Sequence, residues 1–322
     1  MDKTATGPET LLEAIRYFAD PDICLSYMVG LRWPNGVVCP TCGSRAVTFL
    51  STRRLWKCRE GHARQQFSIK VGTVFEDSPI GLDKWLPAMW MLVNCKNGIS
   101  SYEVARALDV TQRTAWFMLH RIRLATQTGT FEKMSGEIEA DETFIGGAAR
   151  FMHKGRKAER LSGKRGGTVG KIAVMGLLER HGPDKTSRVR LAVVPNVRRL
   201  RLQEEVRQNV ASGSQLYTDA LKSYEGLASE YTHKVIDHAE SYAEGKVHTN
   251  GLENFWSLLK RSIKGTYVSV EPFHLFRYLD EQAFRFNKRR GTDRSRFVDA
   301  LRAILGKRLT YNDLTGASLA TT

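Results

Sequence analysis

Residues 217–264 read YTDALKSYEGLASEYTHKVIDHAESYAEGKVHTNGLENFWSLLKRSIK, and how they are read decides the fold. The run Gln215-Leu216-Tyr217-Thr218 predicts a short strand that ends at Asp219. From Asn250 the period changes. Leu252, Phe255, Trp256, Leu259 and Ile263 share one stripe at about 100° per residue, which predicts a basic amphipathic helix. Glu253 stands at the edge of that stripe, and Lys260, seven residues on, falls within about 20° of it. A carboxylate at a strand end and another on a helix edge can converge on one spot. A third acid would make the pocket suit two divalent cations.

Upstream of this stretch the chain reads as strands. GEIEADETFIGG (136–147) alternates as a strand and closes on the turn-forming pair Gly146-Gly147. KIAVMGLLER (171–180) and SRVRLAVVPN (187–196) are strands joined by the turn His181-Gly182-Pro183-Asp184, followed by the helix LRLQEEVRQNV (200–210). Strands, a helix, a strand and further helices give an α/β mixed sheet with flanking helices. The basic, glycine-rich stretch FMHKGRKAERLSGKRGGTVG (151–170) reads either as a phosphate-contacting arm or as a solvated loop.

Three acids mark element ends: Asp141, Asp219 and Glu253. Like charges about 4 Å apart repel by roughly 4 kcal/mol at an effective dielectric of 20, so such a cluster calls for a cation. Hard oxygen ligands select Mg²⁺ or Mn²⁺. Each acid also has a plainer reading. Asp219 could cap a helix starting near Ala220, and Asn250 with Glu253 fits a capping box. A strand slip would put Glu139 or Glu142 in place of Asp141.

The N-terminal part carries a different chemistry. Residues 8–30 predict a helix running loosely through to Met28. Cys39-Pro40-Thr41-Cys42 is a C-x-x-C knuckle, and Cys58 and His62 follow as the other candidate ligands of one structural, tetrahedral Zn²⁺. Residues 82–96 predict a packing helix. Ser100 or Ser101 caps a second helix, Asp109-Val110 turns, and Thr111 caps a third. The last pair has helix-turn-helix spacing and would offer Gln112, Arg113 and Arg121 to a DNA major groove; the alternative is an ordinary helical hairpin on the core. The polar segment 126–136 marks a domain boundary. The predicted organisation is an N-terminal helical segment (1–36), a zinc ribbon (37–78), a helix-turn-helix domain (79–127), an α/β domain (135–290) and a C-terminal helical extension (291–322). The helices of 271–310 are expected to pack on the sheet and extend a basic face.

Composition sets the limits. The net charge of +15 over 322 residues points to a polyanionic partner such as double-stranded DNA. The longest apolar run, Trp85–Val93, is far short of the roughly 20 residues of a membrane helix. The N-terminus has no signal-peptide pattern, and a cytoplasmic, nucleoid-associated protein without membrane contact is expected. Five cysteines, three of them clustered, favour metal binding over a disulfide framework.

Taken together, the chain resembles the ISXO-like DDE transposases, the insertion-sequence group related to the eukaryotic Merlin elements. The resemblance runs from about Cys39 to Arg290. It is carried by the cysteine ribbon ending in QFSIKVGTVFEDS, then EADETFIGG, YTDALKSY, HTNGLENFWSLLKR and YLDEQAFRFNKR. It implies an RNase H-like catalytic domain, Mg²⁺-dependent strand cleavage at the terminal inverted repeats, and strand transfer into target DNA by a homodimer that brings two ends together. It assigns Asp141 and Asp219 as the first two catalytic acids and Glu253 as the third, with Asn250 the alternative there. Lys260, followed by Arg261, matches the downstream basic residue, and His248 stands beside the third acid. The group usually has a second cysteine pair where this chain has Cys58 and His62. Two other functions fit the same residues: a zinc-dependent DNA-binding regulator with an inactive α/β half, and a resolvase-type nuclease.

Overall fold

The computed structural model describes residues 7–127, 132–146, 155, 170–181, 186–219, 222–236 and 248–316. Most of the basic 151–170 stretch, residues 182–184 of the expected turn and the tail beyond 316 lie outside them. The chain forms two compact units, Met1–Gln127 with Lys288–Thr322, and Thr128–Asn287. No helix among the described residues is long and apolar enough to cross a membrane.

In the first unit the expected opening helix is two. Helix α1 (Leu11–Tyr17) is capped by Thr10, and α2 (Pro21–Arg32) starts afresh. The break is local chemistry: Asp20 accepts from the Asp22 amide at 2.7 Å, and Pro21 sits at the first helical position, where it needs no amide. A three-stranded antiparallel sheet follows, β1 (Val47–Leu50), β2 (Leu55–Cys58) and β3 (Gln66–Phe67). Helix α3 (Leu82–Asn94) is buried from Trp85 through Val93 and forms the unit's centre. Helix α4 (Ser101–Leu108) opens on a full capping box between Ser100 and Glu103, and Asp109 turns the chain at φ 49°. Thr111 then caps α5 (Gln112–Ala125).

The C-terminal segment differs from expectation. Its helix α9 (Asp293–Arg302) belongs to the first unit, where it packs on α3. The cause is Phe297, fully buried, whose ring lies 5.0 Å from Trp90 and 5.6 Å from Phe18. A short helix α10 (Tyr311–Thr315) ends the described chain.

The second unit is a five-stranded mixed sheet. Its strands are β4 (Glu137–Ile145), β5 (Ile172–Arg180), β6 (Arg188–Val194), β7 (Gln215–Asp219) and β8 (Thr232–Ile236), in the order β6-β5-β4-β7-β8. The pairs β4–β5 and β5–β6 are antiparallel, while β4–β7 and β7–β8 are parallel. Helix α6 (Arg199–Asn209) lies between β6 and β7 in the chain, and α7 (Asn250–Ser262) and α8 (Leu275–Asn287) close the unit. Helices cover both faces. Ile138, Ala140, Met175 and Leu177 pack with Leu202 and Val206 of α6, whereas Val174 and Leu178 pack with Leu252, Phe255 and Trp256 of α7. On β4 the alternation therefore turns Ile138 and Ala140 to one side, and Glu139 and Asp141 to the side of α7.

Candidate functional site

In the first unit the backbone builds a four-ligand knuckle. The Gly43 amide donates to the Cys39 carbonyl at 2.8 Å and the Cys39 amide to Ser44 at 2.9 Å, with Gly43 at φ 75°. The β1–β2 register pairs Val47 with Cys58, which brings the second turn to the first. The ligand atoms of Cys39, Cys42, Cys58 and His62 all lie within 4.8 Å of one another. Cys39 Sγ is 3.4 Å from His62 Nε2, and Cys42 Sγ is 3.7 Å from Cys58 Sγ. A tetrahedron with metal–sulfur bonds of about 2.3 Å has edges of about 3.8 Å, so the donor set fits Zn²⁺. Burial resists ionisation of Cys39, but the amides of Cys42 and Thr41 and the neighbouring thiols outweigh it and bring its thiol down to about 6.

In the second unit α7 is laid along β4 and fastened at two points. Glu139 Oε2 accepts the Leu252 amide at 2.8 Å, and Trp256 Nε1 donates to Asp141 Oδ2 at 2.9 Å. Two strand residues advance about 6.6 Å and four helical residues about 6 Å, so the spacings match. The indole reaches Asp141 because Gly176 faces Asp141 across the β4–β5 pair. A Cβ there would stand 2.6 Å from Trp256 Cζ2.

Asp141 also accepts the Glu142 amide, at 2.8 Å. Burial raises its pKa, and the charges of Asp219 and Glu253 raise it further, against these two hydrogen bonds. The three acids therefore share one field. They come from β4, from the end of its parallel neighbour β7, and from the exposed side of α7. Among the described residues, the Cys₃His group is the one that brings three or more such ligand atoms within 4.8 Å, and the three acids do not. Glu142 takes a hydrogen bond from the buried Tyr224 hydroxyl, and burial with the charges of Asp141 and Asp219 pushes it up to about 8.

The capping box expected at Asn250 is absent. Thr249 is the N-cap and makes no side-chain cap bond, Asn250 is the first helical residue, and Glu139 receives the helix end instead. Glu139 differs from Asp141 in being paired with a cation: one oxygen takes Arg180 Nε at 2.6 Å and the other the Leu252 amide at 2.8 Å. His248 belongs to that network, its Nδ1 lying 2.8 Å from Arg180 Nη2. Lys260 and Arg261 are exposed in the last turn of α7.

The residues expected to reach DNA from α5 separate. Gln112 donates to Ser101 at 2.8 Å, and Arg113 is exposed, its guanidinium lying 4.8 Å from the centre of the Tyr311 ring. Arg121 is turned inward. It is 3% exposed, donates to the Glu76 carbonyl and lies over the rings of Trp85 and Phe117. It is a core residue of the first unit. The sequence reading missed the roles of Arg180, Trp256 and Gly176. Its only available signal was the shared parity of Glu139 and Asp141.

The two sites define a class: a chain with a four-ligand ribbon in one unit and an acid-bearing mixed sheet in the other. Residues 133–287 match the ISXO2-like transposase domain and residues 20–64 the transposase zinc-ribbon domain. A protein of the transposable element ISH50 from Halobacterium salinarum is 26% identical over 305 residues, covering 90% of this chain and 98% of that one. A transposase-like protein of Haemophilus influenzae is 37% identical over 101 residues, 31% of this chain and 81% of its own length. The chain belongs to the ISXO2-like transposase family.

Proposed function

We propose that the chain is a DNA transposase that binds terminal inverted repeats and carries out Mg²⁺-dependent strand cleavage and strand transfer on an RNase H-like second unit. The observation that carries this is the shared field of Asp141, Asp219 and Glu253, drawn from two parallel strands and a facing helix. Three carboxylates in one field repel by kcal/mol amounts, and in a chain of net charge +15 they suit a hard divalent cation better than a surface role. Asp141, Asp219 and Glu253 are assigned as ligands of two Mg²⁺ or Mn²⁺ ions, with Asn250, exposed one turn before Glu253, the alternative third residue. Bound there, such ions would make a water or 3′-hydroxyl nucleophilic near neutral pH and hold attacking and leaving oxygens in line.

The chain's own groups supply the rest. Trp256 and the Glu142 amide each hold one oxygen of Asp141 and orient the carboxylate, and the remaining lone pairs would serve a cation. Lys260 and Arg261 offer exposed cations to a DNA phosphate. In the first unit, Cys39, Cys42, Cys58 and His62 hold one structural Zn²⁺, and the α4–α5 hairpin acts as a helix-turn-helix, with Gln112 and Arg113 as its DNA-facing residues. Arg121 is left out because it is buried. Two ends must be cut together, so a homodimer is the working form.

The test is incubation with duplexes carrying the element's terminal repeats. Defined, Mg²⁺-dependent cutting is expected from the parent protein and none from Asp141→Ala. Undiminished cutting by that variant would overturn the assignment. Repeat-specific binding without cutting by the parent would instead favour a DNA-binding regulator.

A further inference from the structure

Each acid of the proposed site has a neighbour just behind it on the same element; two of these neighbours meet at one arginine, and one of the two holds the third. Glu139 lies two residues before Asp141 on β4, Tyr217 two before Asp219 on β7, and Leu252 one before Glu253 on α7. Glu139 and Tyr217 are paired in register across the two strands. Arg180, the last residue of β5, reaches β4, β7 and the segment that leads into α7. Its Nε donates to Glu139 Oε1 at 2.6 Å, and its guanidinium lies 4.5 Å from the centre of the Tyr217 ring. Its Nη2 donates to the carbonyl of His248, the residue before the N-cap of α7.

Glu139 completes the arrangement. It is 1% exposed, and its second oxygen takes the Leu252 amide at 2.8 Å. An N-cap side chain ordinarily accepts from the amide of the second or third helical residue. Leu252 is that third residue, and Thr249 makes no such bond, so a carboxylate from the sheet does the capping and puts negative charge on the positive helix end. The approach is close: a Cβ on Gly251 would stand 2.8 Å from Glu139 Oε2. A buried ion pair is a poor device for stability alone, because apolar side chains of equal volume hold a sheet and helix together as well. What a guanidinium bonded at once to Glu139 and to the His248 carbonyl adds is a fixed orientation.

We infer that Glu139 and Arg180 are positioning residues that fix the first turn of α7 against β4 and β7, and so hold Glu253 in register with Asp141 and Asp219. The inference rests on the metal-binding reading above. Neither residue is a ligand.

The test uses the full chain with Mn²⁺ as the probe. Calorimetric Mn²⁺ binding is measured for the parent, Asp141→Ala, Glu139→Gln and Arg180→Lys, with amide hydrogen exchange at Leu252 alongside. Glu139→Gln keeps an acceptor for the Leu252 amide but loses the charge opposite Arg180, while Arg180→Lys keeps the charge and loses the fork. Each is expected to weaken Mn²⁺ binding about tenfold or more, the range for groups that orient metal ligands. The Mn²⁺ concentration for half-maximal cleavage should rise by the same factor, with KM for DNA unchanged, and Leu252 should exchange faster in Glu139→Gln. Parent-like Mn²⁺ affinity in both variants, even with lowered melting temperatures, would overturn the positioning role and leave the metal site standing. Failure of the parent to bind Mn²⁺, or equal binding by Asp141→Ala, would overturn the metal reading and this inference with it. If Glu139→Gln does not fold, Arg180→Lys carries the same comparison.

Discussion

Replacing Gly176 by alanine tests the α7–β4 fastening with a single methyl group. The added Cβ would meet Trp256 Cζ2 at 2.6 Å, Trp256 Cη2 at 2.7 Å and Leu252 Cδ2 at 2.9 Å. Ordinary carbon–carbon contact begins near about 3.5 Å, so the indole must move by close to about 1 Å. Its Nε1 is 2.9 Å from Asp141 Oδ2, and a shift of that size breaks the bond. Overpacking costs about 1–3 kcal/mol. A hydrogen bond to a charged group adds about 1.5–3 kcal/mol. Removing a strand glycine returns about 0.5–1 kcal/mol. The net expectation is a loss of about 2–5 kcal/mol, which lowers the melting temperature of a unit this size by about 5–15 °C. Differential scanning calorimetry reads the shift, and tryptophan emission reports the displaced ring. The clashing atoms belong to the six-membered ring of the indole, so adding Trp256→Phe to Gly176→Ala should recover part of the loss, a double-mutant coupling of opposite sign to the single effects. A melting temperature within about 1 °C of the parent and an unchanged emission spectrum would refute the account of the fastening.

Removing zinc by chelation, or making Cys42→Ser, should unfold the ribbon, because ligand binding and folding are one equilibrium in such small sites; the checks are metal content and near-ultraviolet dichroism. Arg121→Ala should destabilise the first unit by about 2–4 kcal/mol in a denaturant titration, whereas Arg113→Ala, at an exposed site, should fall within about 0.5 kcal/mol of the parent. Burial lowers the pKa of His233, which lies 2.9 Å from Thr218 Oγ1. The unfolded chain then takes up a proton below about 6.5 that the folded chain resists, so stability is full above that pH and falls as pH drops toward the lowered value. His233→Gln should flatten this limb in melts taken from pH 7 to 5, and an unchanged limb would assign it to another group.

The fold was legible where one period ruled. The strands at 137–145, 172–180 and 188–194 and the stripe of α7 follow from alternation and from 100° spacing, because each buries one defined face. Strand β8 was not legible, since THKVI has polar edge residues and little apolar signal. The opening helix was read as continuous because Asp20-Pro21 ends one apolar periodicity and starts another nearly in phase. Arg121 shows the limit of period arguments for sites. Residues 118–123, Met-Leu-His-Arg-Ile-Arg, are buried all round the helix, so no face was left to mark as solvent. A long side chain between Trp85 and Phe117 buries as an apolar body with its charge spent on a carbonyl. Asp219 and Glu253 do stand at element ends, but Asp141 lies in the middle of β4, contrary to the sequence expectation. Its fastening and that of Glu139 were not legible, since both meet partners more than a hundred residues away.

The acids of β4 show how a basic protein keeps one carboxylate available. Glu139 is committed to Arg180 and to a helix amide. Glu137 lies 3.8 Å from the same arginine. Glu142 is pushed up to about 8 by burial and its neighbours, and it accepts from the Tyr224 phenol. Asp141 differs from all three. Its hydrogen bonds come from neutral donors, an indole and an amide, and the charges it meets are two further carboxylates. Asp141 fastens α7 through Trp256 and at the same time faces two further carboxylates, a repulsion that a divalent cation would relieve.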